Sequence, residues 1–173
     1  MGGIMKIHER MAVFVESGYC TVGRGPKHPF LPDTSLLPVI ASFLERYPFL
    51  LKDQGYVEFL QSYAGASIQR PNDEFLVDIY GFTRASTNML ELPGDMIDNH
   101  GFLMFAGVYW TQETKTGHEF IELDFAFHAA GDKADGVYYL TPSLDEYRWG
   151  FASFDHWLEA LVLKQKKLLP SEG

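Results

Sequence analysis

The chain has a single cysteine, Cys20, among its 173 residues. No intrachain disulfide can form, and the sequence suits a reducing, cytoplasmic setting. Long apolar runs are lacking too. The opening MGGIMKIHERMAVFVES holds only the apolar residues 11–15 between charged ones, too short for a signal-peptide core or a membrane span. A myristoylation signal needs Ser or Thr at the sixth position, where Lys6 stands. Neither export nor membrane attachment is expected.

Basic residues are scarce: 14 Lys and Arg against 23 Asp and Glu give a net charge of -9. The imbalance is local. Residues 71–146 carry 14 acidic and 3 basic side chains, a net -11, which leaves +2 for the rest. So acidic a stretch repels phosphate backbones, which argues against nucleic acid as a partner and for a basic protein. Simple solubility is the competing explanation of that charge.

Catalytic signatures are absent as well. TVGRGPKHP has Gly23, Gly25 and Lys27, but Pro26 and Pro29 interrupt it and no Gly-Lys-Ser/Thr leads into a helix, so a Gly/Pro turn is expected there. Gly65-Ala66-Ser67-Ile68-Gln69 lacks the second glycine of a nucleophile elbow. One cysteine cannot complete a zinc-deaminase pattern, and His8, His28, His100 and His156 form no paired metal-binding unit. Cys20 has His28 nearby but no visible base with an orienting partner.

What is present is a good core. With 46% hydrophobic and 15% aromatic residues, the chain suits one domain that buries roughly two-thirds of its unfolded surface. LPDTSLLPVIASFLERYP reads as a helix capped by Thr34 or Ser35, with Leu36, Ile40, Phe43, Leu44 and Tyr47 on one face. Pro38 is tolerable in its first turn, and Pro48 marks its end. DQGYVEFLQSYAG follows as a second helix, with Asp53 as cap, Tyr56, Leu60 and Tyr63 on one face, and Gly65 as the stop. SFDHWLEALVLKQKKLLP closes the chain as a third, capped by Ser153, with Phe154, Trp157, Leu158, Leu161 and Val162 in helical spacing and Lys164, Lys166 and Lys167 at its end.

Between the second and third helices the period changes to two. In EFLVDIY, Phe75, Val77 and Ile79 oppose Glu74 and Asp78. FLMFAGVYW, GHEFIELDFAFH, GVYYL and EYRWGF follow as strands bounded by turn residues, and in the last of these Tyr147, Trp149 and Phe151 alternate with Glu146 and Arg148. The residues before Cys20 through Val22, MAVFVESGYCTV as a whole, read equally as an edge strand or a helix. The linkers suit antiparallel neighbours better than helical crossovers. The expected architecture is α+β: a single domain with a mainly antiparallel meandering sheet, helices packed on one face, and a C-terminal helix.

GHEFIELDFAFHAAGD places Ile121, Leu123, Phe125 and Phe127 on one side of a strand and His118, Glu122, Asp124 and His128 on the other. Glu122 and Asp124 stand about 6.8 Å apart along the backbone, a separation at which two carboxylates can share a cation. The two histidines are a further step away on either side, too far to complete a zinc shell. The wet side of a half-buried strand explains all four residues without chemistry, so neither metal nor cofactor is expected. The remaining candidate is the long segment of residues 81–101, GFTRASTNMLELPGDMIDNHG, with Glu91, Asp95 and Asp98 among adaptable apolar side chains: a flap packed on the core, or a partner-contacting loop.

Three segments resemble the SUKH superfamily of SMI1/KNR4-like domains. YVEFLQSYAGASI is similar to its early helix and glycine-containing turn, with Ala64-Gly65 where the family usually has Asn-Gly or Gly-Gly. FLMFAGVYW through HEFIELDFAF is similar to its adjacent strands, with the aliphatic-Asp pair at Leu123-Asp124, and WGFASFDHWLEALV to its strand, Ser-Phe turn and Trp-Leu helix. The resemblance divides the chain into an N-terminal extension (1–33) belonging to the same domain, a SUKH-like domain (34–167) and a tail (168–173). It implies a bacterial immunity protein that occludes a polymorphic toxin, often a basic nuclease, and catalyses nothing itself. An intracellular scaffold of the same fold is the alternative, and a metal-dependent enzyme built on Glu122 and Asp124 a more remote one. The expected partner-binding residues are Asp78, Glu91, Asp95, Asp98, Glu122, Asp124 and Glu146.

Overall fold

The computed structural model describes residues 20–22, 36–69, 76–82, 101–129, 131–141 and 145–163. Its seven strands follow one another across the sheet in chain order, every neighbour antiparallel. They are β1 (Cys20–Val22), β2 (Ala66–Gln69), β3 (Leu76–Ile79), β4 (Phe102–Thr114), β5 (Gly117–His128), β6 (Val137–Leu140) and β7 (Arg148–Phe151). Helices α1 (Leu37–Arg46) and α2 (Gln54–Tyr63), joined by a 3-10 turn at Pro48–Lys52, lie in sequence between β1 and β2; α3 (Phe154–Trp157) follows β7. This is the α+β meander expected from the sequence. Residues 20–22 lie at the edge of the same sheet, which settles the strand-or-helix ambiguity for those three. No helix among the described residues is long and apolar enough to cross a membrane.

One core cluster joins the helices to one side of the sheet. Leu36, Ile40, Phe43, Leu44 and Tyr47 are all buried, as the spacing requires. Tyr56 reaches Phe105 and Phe127 at ring-centre distances of 5.6 and 4.9 Å, and Trp157 reaches Phe105 and Phe125 at 5.1 and 5.4 Å. Such tilted and edge-on pairs add to the stabilisation from burial alone.

Two irregularities decide which side chains face the helices. Opposite β5, Met104 pairs with Ala126 and Ala106 with Phe125, so Phe105 is an extra residue in β4. The bulge turns both Phe105 and Ala106 toward the core, and it exchanges the parity of everything beyond. A second bulge lies at Gly150, because Val137 pairs with Phe151 but Tyr138 with Trp149. Phe151 therefore joins the core side while Trp149 takes the open side, and the regular alternation expected of Tyr147, Trp149 and Phe151 fails there.

Helix ends also depart from expectation. The cap of α1 is Leu36, with no side-chain bond, in place of Ser35 or Thr34, which lie outside the described residues. Pro38 has no N–H, so one of the two donors a capping side chain would serve is missing. The left-handed residue after α2 is Ala64 (φ 63°), and Gly65 follows at φ 147°. Ala64 is held from both sides: its N–H donates to Leu60 O at 2.8 Å and its carbonyl accepts Phe82 N–H at 2.6 Å. Gly81 must be glycine for this approach, since a Cβ there would fall 1.6 Å from the Ala64 carbonyl oxygen. The last helix is α-helical only to Trp157 and winds as a π-helix over Leu158–Leu163.

Asp53 links the helical layer together. One carboxylate oxygen caps α2 by accepting Tyr56 N–H at 3.2 Å, and the other accepts Phe154 N–H at 2.7 Å, 101 residues away, at the start of α3. Burial raises its pKa, helped by the charge of Asp155 and opposed by these bonds. Replacing Asp53 by alanine removes one cap and orphans a second donor at a partly buried site. We expect a loss of about 2 kcal/mol in chemical denaturation, and a smaller loss for Asp53→Asn, which keeps one acceptor oxygen.

Candidate functional site

The side of the sheet away from the helices carries the acidic residues. Asp78 on β3 sits opposite Gly107 on β4, Gly107 opposite Asp124 on β5, and Asp124 opposite Leu140 on β6. One step along, Leu76, Tyr109 and Glu122 form the parallel row. Directly paired residues share a face, so Asp78, Glu122 and Asp124 come out together, with Asp78 and Asp124 about 10 Å apart across two strand spacings. The bulge at Phe105 makes this possible. It brings Gly107 and Tyr109, by simple count from Leu103 core positions, to the open side.

Gly107 leaves a notch between the two aspartates, and tyrosines fill it. A Cβ there would lie 2.5 Å from the Tyr109 hydroxyl and 2.9 Å from that of Tyr80. The two hydroxyls stand 3.3 Å apart, in hydrogen-bond contact. The result is a half-buried Tyr109 backed by the buried Tyr80, with three half-buried carboxylates round it. Desolvation raises the pKa of Tyr109; its bond with Tyr80 opposes the shift, and the charges of Glu122, Asp124 and Asp78 add to it. Asp124 moves furthest among the carboxylates, from 3.8 to about 6, first because it is partly buried and then because Glu122 is beside it.

The other expected residues divide. Glu146 is exposed in the bend before β7 and lies outside the paired strand, so it does not extend the row as anticipated. Glu91, Asp95 and Asp98 lie outside the described residues. His118 sits opposite Glu113, at the hairpin end of β5, and His128 opposite Phe102 at the other. The His128 side chain is only 6% exposed, packed on Phe102 at 4.7 Å and with Nδ1 3.9 Å from Asp132. This end of the strand is not the wet surface expected: Phe102, Ala126 and Tyr138 form a second, smaller apolar cluster on the open side.

Among the described residues no group of three or more His, Cys, Asp or Glu is placed to hold a metal ion. A cleft of about 260 Å³ opens between the start of α2, the start of α3 and residues 133–136, with Asp53 and Asp155 on its inner wall. Asp53 caps α2 and accepts Phe154 N–H of α3, and the Asp155 carboxylate lies against Gly55 in the first turn of α2. Ser153 Oγ and His156 Nδ1 are 2.7 Å apart, but the same hydroxyl accepts His156 N–H as the cap of α3.

Sequence reasoning missed Tyr80, Tyr109 and Gly107. The signal was a lone glycine inside an apolar strand, which marks a close approach by another group. Compared with protein-family models, with curated proteins and with solved structures, the chain matches none.

Two outcomes test this geometry. Between about pH 4 and 6 the folded chain holds a proton on Asp124 that the unfolded chain has lost, so its contribution to stability is full below that window and disappears as pH rises through it. Urea denaturation at both ends should show the wild type losing about 1 kcal/mol more than Asp124→Asn as pH rises, after allowance for solvent screening. Gly107→Ala should force the Tyr109 ring aside and break its bond with the buried Tyr80, and urea denaturation should find the variant about 1 to 3 kcal/mol less stable than wild type, the usual cost of overpacking.

Proposed function

We propose that this chain is a protein-binding module that docks a basic protein on its acidic sheet face and acts by occlusion, without making or breaking bonds. The observation that carries the reading is the convergence of Asp78, Glu122 and Asp124 round Tyr109 on one rigid sheet surface. Partly desolvated carboxylates of one sign raise the local potential, speed encounter with a cationic surface and disfavour neutral or acidic rivals. A tyrosine at the centre supplies rigid contact area of the kind enriched at binding hot spots. The resemblance to SUKH domains supports the more specific role, that of a bacterial immunity protein whose partner is a basic toxin domain, of the nuclease class among others, met in the cytoplasm.

Co-purification from cells tests the reading, with wild type compared against a variant in which Asp78, Glu122 and Asp124 are all lysine. A basic protein should accompany the wild type at low salt, come off as salt is raised, and bind the variant at least about tenfold more weakly. A partner retained equally by both forms would mean that the contact lies elsewhere.

A further inference from the structure

The open face has a second half. Beyond the carboxylates along β5, it becomes aromatic: Phe102, Ala126 and Tyr138 are buried there, with Met104 and Tyr147 packed against them. At its margin, opposite Tyr138 on the last strand of the sheet, Trp149 is 50% exposed. Its indole is nevertheless fixed. The ring N–H donates to Asp135 O at 3.1 Å, and the ring lies over Gly136, where a Cβ would come within 2.7 Å of Nε1. An exposed ring already held in place loses little conformational freedom on binding, and tryptophan is among the residues that dominate interface energetics.

The register sets the spacing between the two halves. Trp149 is two strands from β5 and one residue pair along from Asp124, which puts their backbones about 12 Å apart. The indole leans further away, toward Gly136. Two to three turns of α-helix span about 11 to 16 Å. Leu140, half-buried and opposite Asp124, lies between.

We propose that the partner docks a basic amphipathic helix across this face, with Lys or Arg over Asp124 and Glu122 and an apolar side chain two to three turns away against Trp149. The proposal rests on the reading of the acidic face as a docking surface and adds to it the form of the partner. Charge complementarity selects the cation. An extended segment would satisfy its backbone by pairing at a sheet edge, whereas a helix pairs its interior backbone groups within itself and can lie on a sheet face, as α1 and α2 do on the other side.

The probe is a helical peptide of about sixteen residues carrying arginine and leucine on one face at that spacing, compared with a scramble of the same composition and with octalysine. Fluorescence anisotropy should find the amphipathic peptide bound at least about tenfold more tightly than either control, and Trp149→Ala should abolish that advantage while leaving circular dichroism unchanged. Changing Asp78, Glu122 and Asp124 to lysine should weaken every peptide and flatten the salt dependence. If all three peptides bind alike and Trp149→Ala changes nothing, while the triple variant still weakens them, the helix proposal fails and the acidic docking surface stands. If the triple variant binds as tightly as wild type, both fail.

Discussion

The pairing of β4 with β5 is the constraint on which both faces of the molecule depend. This hairpin runs from Phe102 opposite His128 to Thr114 opposite Gly117, with the single bulge at Phe105. On the helical side it supplies Phe105, Ala106, Val108, Leu123 and Phe125, the floor on which Tyr56 and Trp157 rest. On the other it sets Gly107 between Asp78 and Asp124 and places Tyr109 beside Glu122. A slip of one residue would exchange the two sets, turning carboxylates toward the helices and leucine and phenylalanine toward water. Hydrophobic burial on one side therefore enforces the arrangement of charge on the other.

Keeping carboxylates together in this way has an energetic cost, visible in Asp124. Its pKa near 6 reflects partial burial first and the neighbouring Glu122 second, so the folded state holds a negative charge under conditions that disfavour it. Folding tolerates the cost because the sheet beneath is over-determined by aromatic packing and by the Asp53 bridge between α2 and α3. The conflict is local, and the framework round it is otherwise consistent. Any positive charge brought beside these carboxylates would relieve the same conflict, because it favours their ionised form.

Much of the framework was legible because it rests on periodicity. The α1 stripe from Leu36 to Tyr47, the Asp53 and Ser153 caps, and the inward residues of β5 follow directly from the spacing of side chains. The features that escaped are those that break a period. A bulge cannot be read from a run as uniformly apolar as FLMFAGVYW, since either parity gives an acceptable core face, and the open-side position of Tyr109 is hidden with it. The bulge at Gly150 defeats the alternation of β7 in the same way. The turn after α2 escaped for another reason: what holds Ala64 in a left-handed conformation is a bond from Phe82, which only the tertiary structure supplies.

The same distinction separates the core from the acidic patch in this chain. Core positions are specified by many weak, redundant contacts, so their pattern survives in the sequence as a periodic signal. The acidic patch is specified by register: Asp78 and Asp124 lie 46 positions apart and meet only because β3, β4 and β5 are aligned through Gly107. Charge counting singles out residues 71–146, which hold most of the carboxylates. Charge alone does not rank them, so Glu146, in the bend before β7, counts the same as residues that share a row. Alignment across strands, which composition does not record, decides which carboxylates stand side by side.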